Sequence, residues 1–465
     1  MEKIMNVYVK PLRPILGAVL LTAACVVVER MTFKSQTFYL PQLLAFLQVP
    51  NQLIGTYAGL LKSLTFLLKG CSILLIPYFV AKHGEHSVFC YCNLLFGIAV
   101  MLNSFIYNFP TLIIDRLLIA LTSAYPLITQ IFVFKICNGE NETLALILTN
   151  RVPMLLASSI GPVFGGFLAF PTEGQRFALR GNAFEFFKCF PVFLPNMVLG
   201  CLAVSISVMM MKMKFNRLEK HQYKRIVASD NVSQTRVDAI LEKTGAKSFW
   251  RLLKTSSYWT LSILFSLIHV ADAGSELLLI LWLETPSHLS GGGYQASEVG
   301  VINMLVYMLS MVPNVLIVPF VSVLLKEKNS IYLWSIVGMV LTPMLIWSNE
   351  LISDRIYYGA ILVVLWACVI TALTGAKTAA IIAIKQCTSN GDVPVSLVAC
   401  HTLKRLFKAV AVIVMGSLYS WSLTNETGEF QEGMGYPFNH SFGFIVCSLI
   451  YLIVFILATK LPSES

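Results

Sequence analysis

The sequence predicts an all-α membrane protein whose twelve transmembrane helices form two six-helix halves. Three observations predict it. Hydrophobic residues are 56% of the 465 and charged residues only 12%, about half the ~25% of a soluble domain; mean hydropathy is +0.73. Apolar runs recur near the ~20 residues that cross a bilayer. They do not alternate, as Phe442 to Ala458 shows, so they are helices and not barrel strands. The only long polar stretch divides these runs six and six.

The crossings are expected at about 14–42, 54–80, 87–107, 110–135, 144–170 and 186–211, then 257–283, 297–325, 330–349, 356–384, 394–421 and 441–460. This gives an N-terminal half at 1–211, a loop at 212–256 and a C-terminal half at 257–465. Lys212 to Thr255 holds eleven Lys/Arg against four acids. Lys/Arg excess marks the cytoplasmic side. The tail with Lys3, Lys10 and Arg13, and the loop with Lys326 and Lys328, lie on the same side, so both termini are expected in the cytoplasm. Glu284, Glu350, Asp354, Glu426, Glu429 and Glu432 fall opposite, with the glycosylation sequons at Asn425 and Asn439. Asn141 and Asn231 match the same pattern on the cytoplasmic side. The first apolar run imitates a signal peptide. Cleavage there would leave an odd number of crossings, so it is read as a helix.

Composition also excludes classes of function. The formal charge of +10 reports basic loops and not nucleic-acid binding. Eleven cysteines lie singly in apolar segments, apart from Cys90 and Cys92, so neither a metal nor a redox framework is expected. Seven scattered histidines without HExxH, and no GxxxxGK[ST] loop, argue against a membrane enzyme and against direct ATP drive. No cofactor is expected.

The fifth crossing reads SSIGPVFGGFLAFP, with Gly161, Pro162, Gly165 and Gly166 in the spacing GPxxGG. Such glycines let a neighbouring helix approach, and the proline removes one backbone hydrogen bond. This resembles the fifth-helix antiporter motif of the major facilitator superfamily; Leu148 and Ala157 stand where that motif has glycines. Asp115-Arg116 resembles the start of its fourth-helix RxxxG, with Ala120 for the glycine. PYFVAKHGEHS (Pro77 to Ser87) resembles its gating loop between helices 2 and 3. Gly84 matches there, while Ala81 and Glu85 replace an aspartate and an arginine. The zinc-induced-facilitator-like branch and its fungal and protist relatives are similar at five places: GTYAGLLKS (Gly55 to Ser63), GPVFGGFLAFP, FPVFLPNMV (Phe190 to Val198), Glu276 to Gly300, and LFKA with LYSWS (Leu406 to Ser422). The resemblance implies a secondary carrier, often proton-coupled, with substrate bound between the halves. It leaves open a plasma or an endomembrane such as the vacuole. A monomer is expected, with a small solute, protons and the bilayer as partners.

Candidate site residues are ionisable groups inside the crossings, where each costs at least ~2.5–3.5 kcal/mol near the centre. Glu29, Arg30 and Lys34 interrupt the first crossing. The resemblance places Glu29 within helix 1, so Arg30 and Lys34, four apart, would offer a cationic stripe to a cavity and Glu29 would face a neighbouring helix. The alternative is that helix 1 ends near Val28 and all three lie at the surface. His269, Asp272 and Glu276 share one face of helix 7. Two carboxylates one turn apart repel, so one of them, with Asp272 favoured, is expected to carry a coupling proton; polar groups that merely stabilise helix contacts are the alternative. Lys377 and Lys408 are expected either to bind an anionic substrate or to snorkel to the cytoplasmic interface. Asp115, Arg116 and Glu29 are further coupling candidates. A receptor or scaffold that no longer moves solute is the rival reading, because the helix 2–3 loop departs from the motif.

Overall fold

A computed structural model describes residues 16–50, 53–83, 85–123, 152–172, 181–212, 256–286, 291–325, 327–351, 355–388, 393–423 and 440–461. Gly84, the four sequon asparagines and nearly all of the basic loop lie outside these residues.

Twelve long helices follow one another in the described residues: α1 (Leu16–Phe46), α2 (Ile54–His83), α3 (Glu85–Leu102), α4 (Phe109–Thr122), α5 (Val152–Leu168), α6 (Phe193–Lys212), α7 (Ser256–Glu284), α8 (Ala296–Leu324), α9 (Glu327–Leu351), α10 (Arg355–Gln386), α11 (Val393–Ser422) and α12 (Phe442–Thr459). Eight are long and apolar enough to cross a membrane. α1 and α11 are of similar length but fall outside that set; their middle turns carry Glu29, Arg30 and Lys34, and Lys404, Arg405 and Lys408. α1 runs unbroken through Glu29, Arg30 and Lys34, so it does not end near Val28. On α8, Val312, Leu316 and Phe320 are each more than 60% exposed. Their four-residue spacing makes one apolar stripe, the face a lipid would cover.

Two described boundaries differ most from expectation, and at the first of them α4 ends at Thr122, capped at Ser123, and not near 135. The sixth crossing starts at Phe193, not near 186, and a separate short helix, Asn182–Cys189, precedes it. Pro191 has no N–H to continue a helix, and the chain turns there, with Phe170 N–H donating to Pro191 O at 2.8 Å. The phenylalanines on both sides of Pro191 hid this break in the sequence. The start of α4 follows local chemistry directly. Asn108 caps it by accepting from Thr111 N–H at 2.9 Å, with Pro110 in the first turn.

α1–α6 pack among themselves through α1 on α5, α3 on α6 and α2 on α4; α7–α12 do so through α9 on α10, α7 on α11 and α9 on α12. The two groups meet where α2 lies along α11 and α5 along α8. The second helix of each group thus packs on the fifth of the other, the pattern of an internal two-fold. Glycines make both seams close. A Cβ at Gly59 would meet Val412 O at 2.6 Å, and one at Gly416 would meet Gly55 O at 2.6 Å. At the other seam a Cβ at Gly300 would meet Pro162 O at 3.0 Å. Behind it Gly161 and Gly165 lie on α1, where a Cβ at Gly165 would meet Ser35 O at 2.7 Å and Ser35 Cα at 2.8 Å.

Those contacts are backbone, which cannot swing aside, and overpacking typically costs ~1–3 kcal/mol. Gly165→Leu is therefore expected to insert in the membrane at normal yield but to lower both thermal stability and solute flux. Wild-type flux in proteoliposomes would show that α1 and α5 do not need this approach.

A cation-rich site between the two helix groups

α7 supplies the centre of the site. Steps of three and four residues put His269, Asp272 and Glu276 on one face. That face looks across to the N-terminal group. Lys34 Nζ of α1 lies 2.9 Å from Glu276 Oε2, and Lys62 Nζ of α2 lies 3.8 Å from Oε1. Lys34 also donates to Tyr307 Oη of α8 at 2.7 Å. One turn earlier, Asp272 accepts from Lys377 Nζ of α10 at 2.8 Å and Lys408 Nζ of α11 at 2.9 Å. His269 Nδ1 stands 3.8 Å from Asp272 Oδ2, too far for a hydrogen bond.

This arrangement corrects the expectation that the two acids confront each other. Each carboxylate is held by two lysines, so their mutual repulsion is offset locally and no longer argues that either one holds a proton. Lys377 and Lys408 do not snorkel. Their ammonium groups stay inside on Asp272, with side chains only 7% and 12% exposed.

A second cluster lies on α1, α2 and α11. Glu29 is fully buried and pairs with Lys69 Nζ of α2 at 3.3 Å. Lys69 also lies 3.0 Å from the centroid of the Phe33 ring, a cation–π contact. Arg30 does not form the expected stripe with Lys34. Its long side chain bends back so that Nε is 3.5 Å from Glu29 Oε2, although neighbouring residues point apart on a helix. Across the interface, the Arg405 guanidinium sits over Phe66 of α2 at 5.6 Å, and Lys408 sits over the same ring at 5.6 Å. Lys404 Nζ is 2.7 Å from His401 Nδ1.

Asp115 and Arg116 stand apart from both clusters, buried in the N-terminal group. Arg116 Nη1 donates to Gln36 Oε1 of α1 at 2.6 Å. Nearby, Tyr39 Oη donates to Asn196 Oδ1 of α6 at 3.0 Å. Neither carboxylate oxygen of Asp115 has a hydrogen-bond partner among the described residues.

Lys69, Tyr307, Arg405 and the pairing role of Lys62 are not among the candidates that the sequence singles out. A single lysine in a long apolar run, as in LTFLLKGCSILL, was the available signal for Lys69. Among the described residues no three His, Cys, Asp or Glu gather as a metal site. Ion pairing and anion recognition are the chemistry this set can perform.

The family described as Major Facilitator Superfamily matches residues 22–390. No curated protein matches the sequence. Among solved structures, the xylose transporter XylE from E. coli in an inward-open conformation aligns with TM-score 0.66 at 9% identity, covering 97% of each chain. A bacterial homologue of the human lysosomal transporter Spinster, inward-facing and unoccupied, gives 0.64 at 13% identity over 97% of this chain and 96% of that one. The nucleoside transporter NupG gives 0.62 at 13% identity over 96% and 99%.

Proposed function

The chain belongs to the major facilitator superfamily, and we propose that it carries a small organic anion, or a zwitterion presenting an anionic group, across its membrane by secondary active transport. Membership makes it an integral, multi-pass membrane transporter and not an enzyme. The proposed motion is a rocking of residues 1–211 against 257–465 about the loop 212–256. One observation carries the reading. Every acid of the two clusters is matched by two cations, Glu29 by Arg30 and Lys69, Asp272 by Lys377 and Lys408, Glu276 by Lys34 and Lys62. A low-dielectric interface with more cations than acids is poised for an anion. Glu276 joins the two groups directly, so an anion that takes its lysines would loosen that link and exchange one set of ion pairs for another.

Uptake into proteoliposomes tests this. The purified protein is expected to exchange an anionic solute inside for the same solute outside, above the rate of protein-free vesicles. A receptor or scaffold, the second reading favoured by Ala81 and Glu85 in the helix 2–3 loop, would bind without flux.

Protons are the proposed coupling ion, and Asp115 is the proposed site. A buried carboxylate that lacks hydrogen-bond donors has least to hold its charge. The charged and titratable groups acting on it are Arg116 on its own helix and Tyr39 on α1. Asp115→Asn imitates the protonated form. It is expected to abolish accumulation driven by a pH gradient while sparing exchange of solute for solute. Full pH-driven accumulation in that variant would remove Asp115 from the coupling.

The proposed home is the plasma membrane or an endomembrane such as the vacuole, with a monomer and both termini in the cytoplasm. Ser233→Cys in a cysteine-depleted background is then expected to react with an impermeant maleimide only after permeabilisation. Labelling from outside intact cells would overturn that orientation.

A further inference from the structure

We propose that Arg30 and Arg405 form an oxyanion site between the two helix groups, and that the substrate is an organic solute carrying two negative charges, on a phosphate monoester or on paired carboxylates. This deepens the carrier reading and rests on it for the word substrate, though the site stands on its own contacts.

Arg405 is only 8% exposed. Its Nε has no hydrogen-bond partner, and no carboxylate lies within ion-pair distance of it, among the described residues. Its guanidinium carbon lies over the Phe66 ring, 5.6 Å from the centroid. The charged groups that act on it are Arg30 and Glu29. Glu29 is already taken by Lys69 and by Arg30, whose Nε also lacks a hydrogen bond. Arg30, Lys69 and Arg405 therefore have one carboxylate among the three of them, which pairs with the first two only, a balance short by two negative charges. Leaving cations buried without compensation is strongly unfavourable. A guanidinium fork fits the paired oxygens of phosphate or carboxylate, which an ammonium does not match in the same way.

The placement also explains why binding would matter for movement. Arg30 rides on α1 and Arg405 on α11, one in each group. A dianion held by both would pull the groups together. A ligand that favours the closed state in this way shifts the equilibrium between conformations. Arg30, with a side chain 26% exposed, offers the approach, and Arg405 is the buried end of the site.

The test is ligand-induced thermal stabilisation of the purified full-length protein, with glycerol 3-phosphate, succinate, lactate, glycine and xylose as probes. Concentration-dependent stabilisation by glycerol 3-phosphate, by succinate or by both, with the other three weaker by at least tenfold in concentration, supports the site and says which oxyanion it takes. Arg405→Lys and Arg30→Lys keep the charge and remove the fork. Each is expected to weaken that response at least tenfold, while Lys188→Gln on the distant short helix leaves it unchanged. Equal stabilisation by lactate or xylose, no response to either dianion, or an undiminished response in both lysine variants would overturn the proposal. Proteoliposome uptake separates the two readings. Flux of lactate without flux of dianions leaves a carrier with the wrong substrate class; dianion binding without any flux leaves the site and removes the carrier.

Discussion

Glu29→Gln is expected to destabilise the protein more than any other single change in α1. Glu29 is 0% exposed and Lys69 only 2%. Removing one partner of a buried ion pair strands the other charge, at a cost of about 3–5 kcal/mol. Glutamine can still accept one hydrogen bond from Lys69, but it offers neither Lys69 nor Arg30 a negative charge. The variant should melt at a clearly lower temperature in detergent and lose monodispersity first on heating. Lys69→Met placed on top should recover much of the loss, because the stranded ammonium is gone and methionine suits an apolar helix contact. An unchanged melting curve for Glu29→Gln would mean that the pair contributes nothing to holding α1 against α2.

Asp272→Asn is expected to have the largest effect on flux. Two ammonium groups, 2.8 and 2.9 Å from the carboxylate, would face a neutral amide. Truncating one member of a buried, hydrogen-bonded charge set costs about 2–5 kcal/mol. If most of that falls on the conformational step, flux should drop by roughly one to three orders of magnitude. Lys377→Gln should cost less, because Asp272 keeps Lys408. Adding Lys377→Gln to Asp272→Asn should restore part of the flux, a non-additivity that only partners in one network show. Initial rates of exchange for the four proteins measure it, and strict additivity would mean that the lysines and Asp272 act independently.

The crossings were legible in the sequence because bilayer thickness dictates length and composition together. The seventh was expected at about 257–283 and runs Ser256–Glu284. The sixth was misplaced at its start because Phe186, Phe187 and Phe190 keep the stretch before Pro191 aromatic despite Glu185 and Lys188, and hydropathy does not register a missing N–H. Ionisable residues in apolar helices could be picked out one at a time. Their partners could not. Lys34 reaches Glu276 only once the two groups have packed, and Lys408 reaches Asp272 only once α11 has packed on α7; no periodicity within a helix encodes those meetings. The same limit applies to α7. Asp272 and Glu276 read as like charges facing each other because their nearest neighbours in sequence are each other. In space, lysines from α1 and α2 pair with Glu276, and lysines from α10 and α11 pair with Asp272. Arg30 shows the reverse error: adjacency argued against contact with Glu29, but a long side chain folds back where a fixed direction from the helix would not.

The packed glycine motifs say more together than apart. Gly55 and Gly59 lie against Gly416 and Val412, and Pro162 lies against Gly300. Glycine-bearing stretches at separate points in the sequence thus meet as the two seams between the helix groups. Those seams are where a rocking motion would slide.

The most direct test of the central claim, that this interface carries an anion, is counterflow in proteoliposomes. Vesicles loaded with unlabelled glycerol 3-phosphate or succinate receive a trace of the same solute, labelled, outside. The cation-rich site predicts rapid transient accumulation of label that needs the protein, fails for xylose, and collapses in Asp272→Asn. Counterflow of xylose with none for any anion would contradict it.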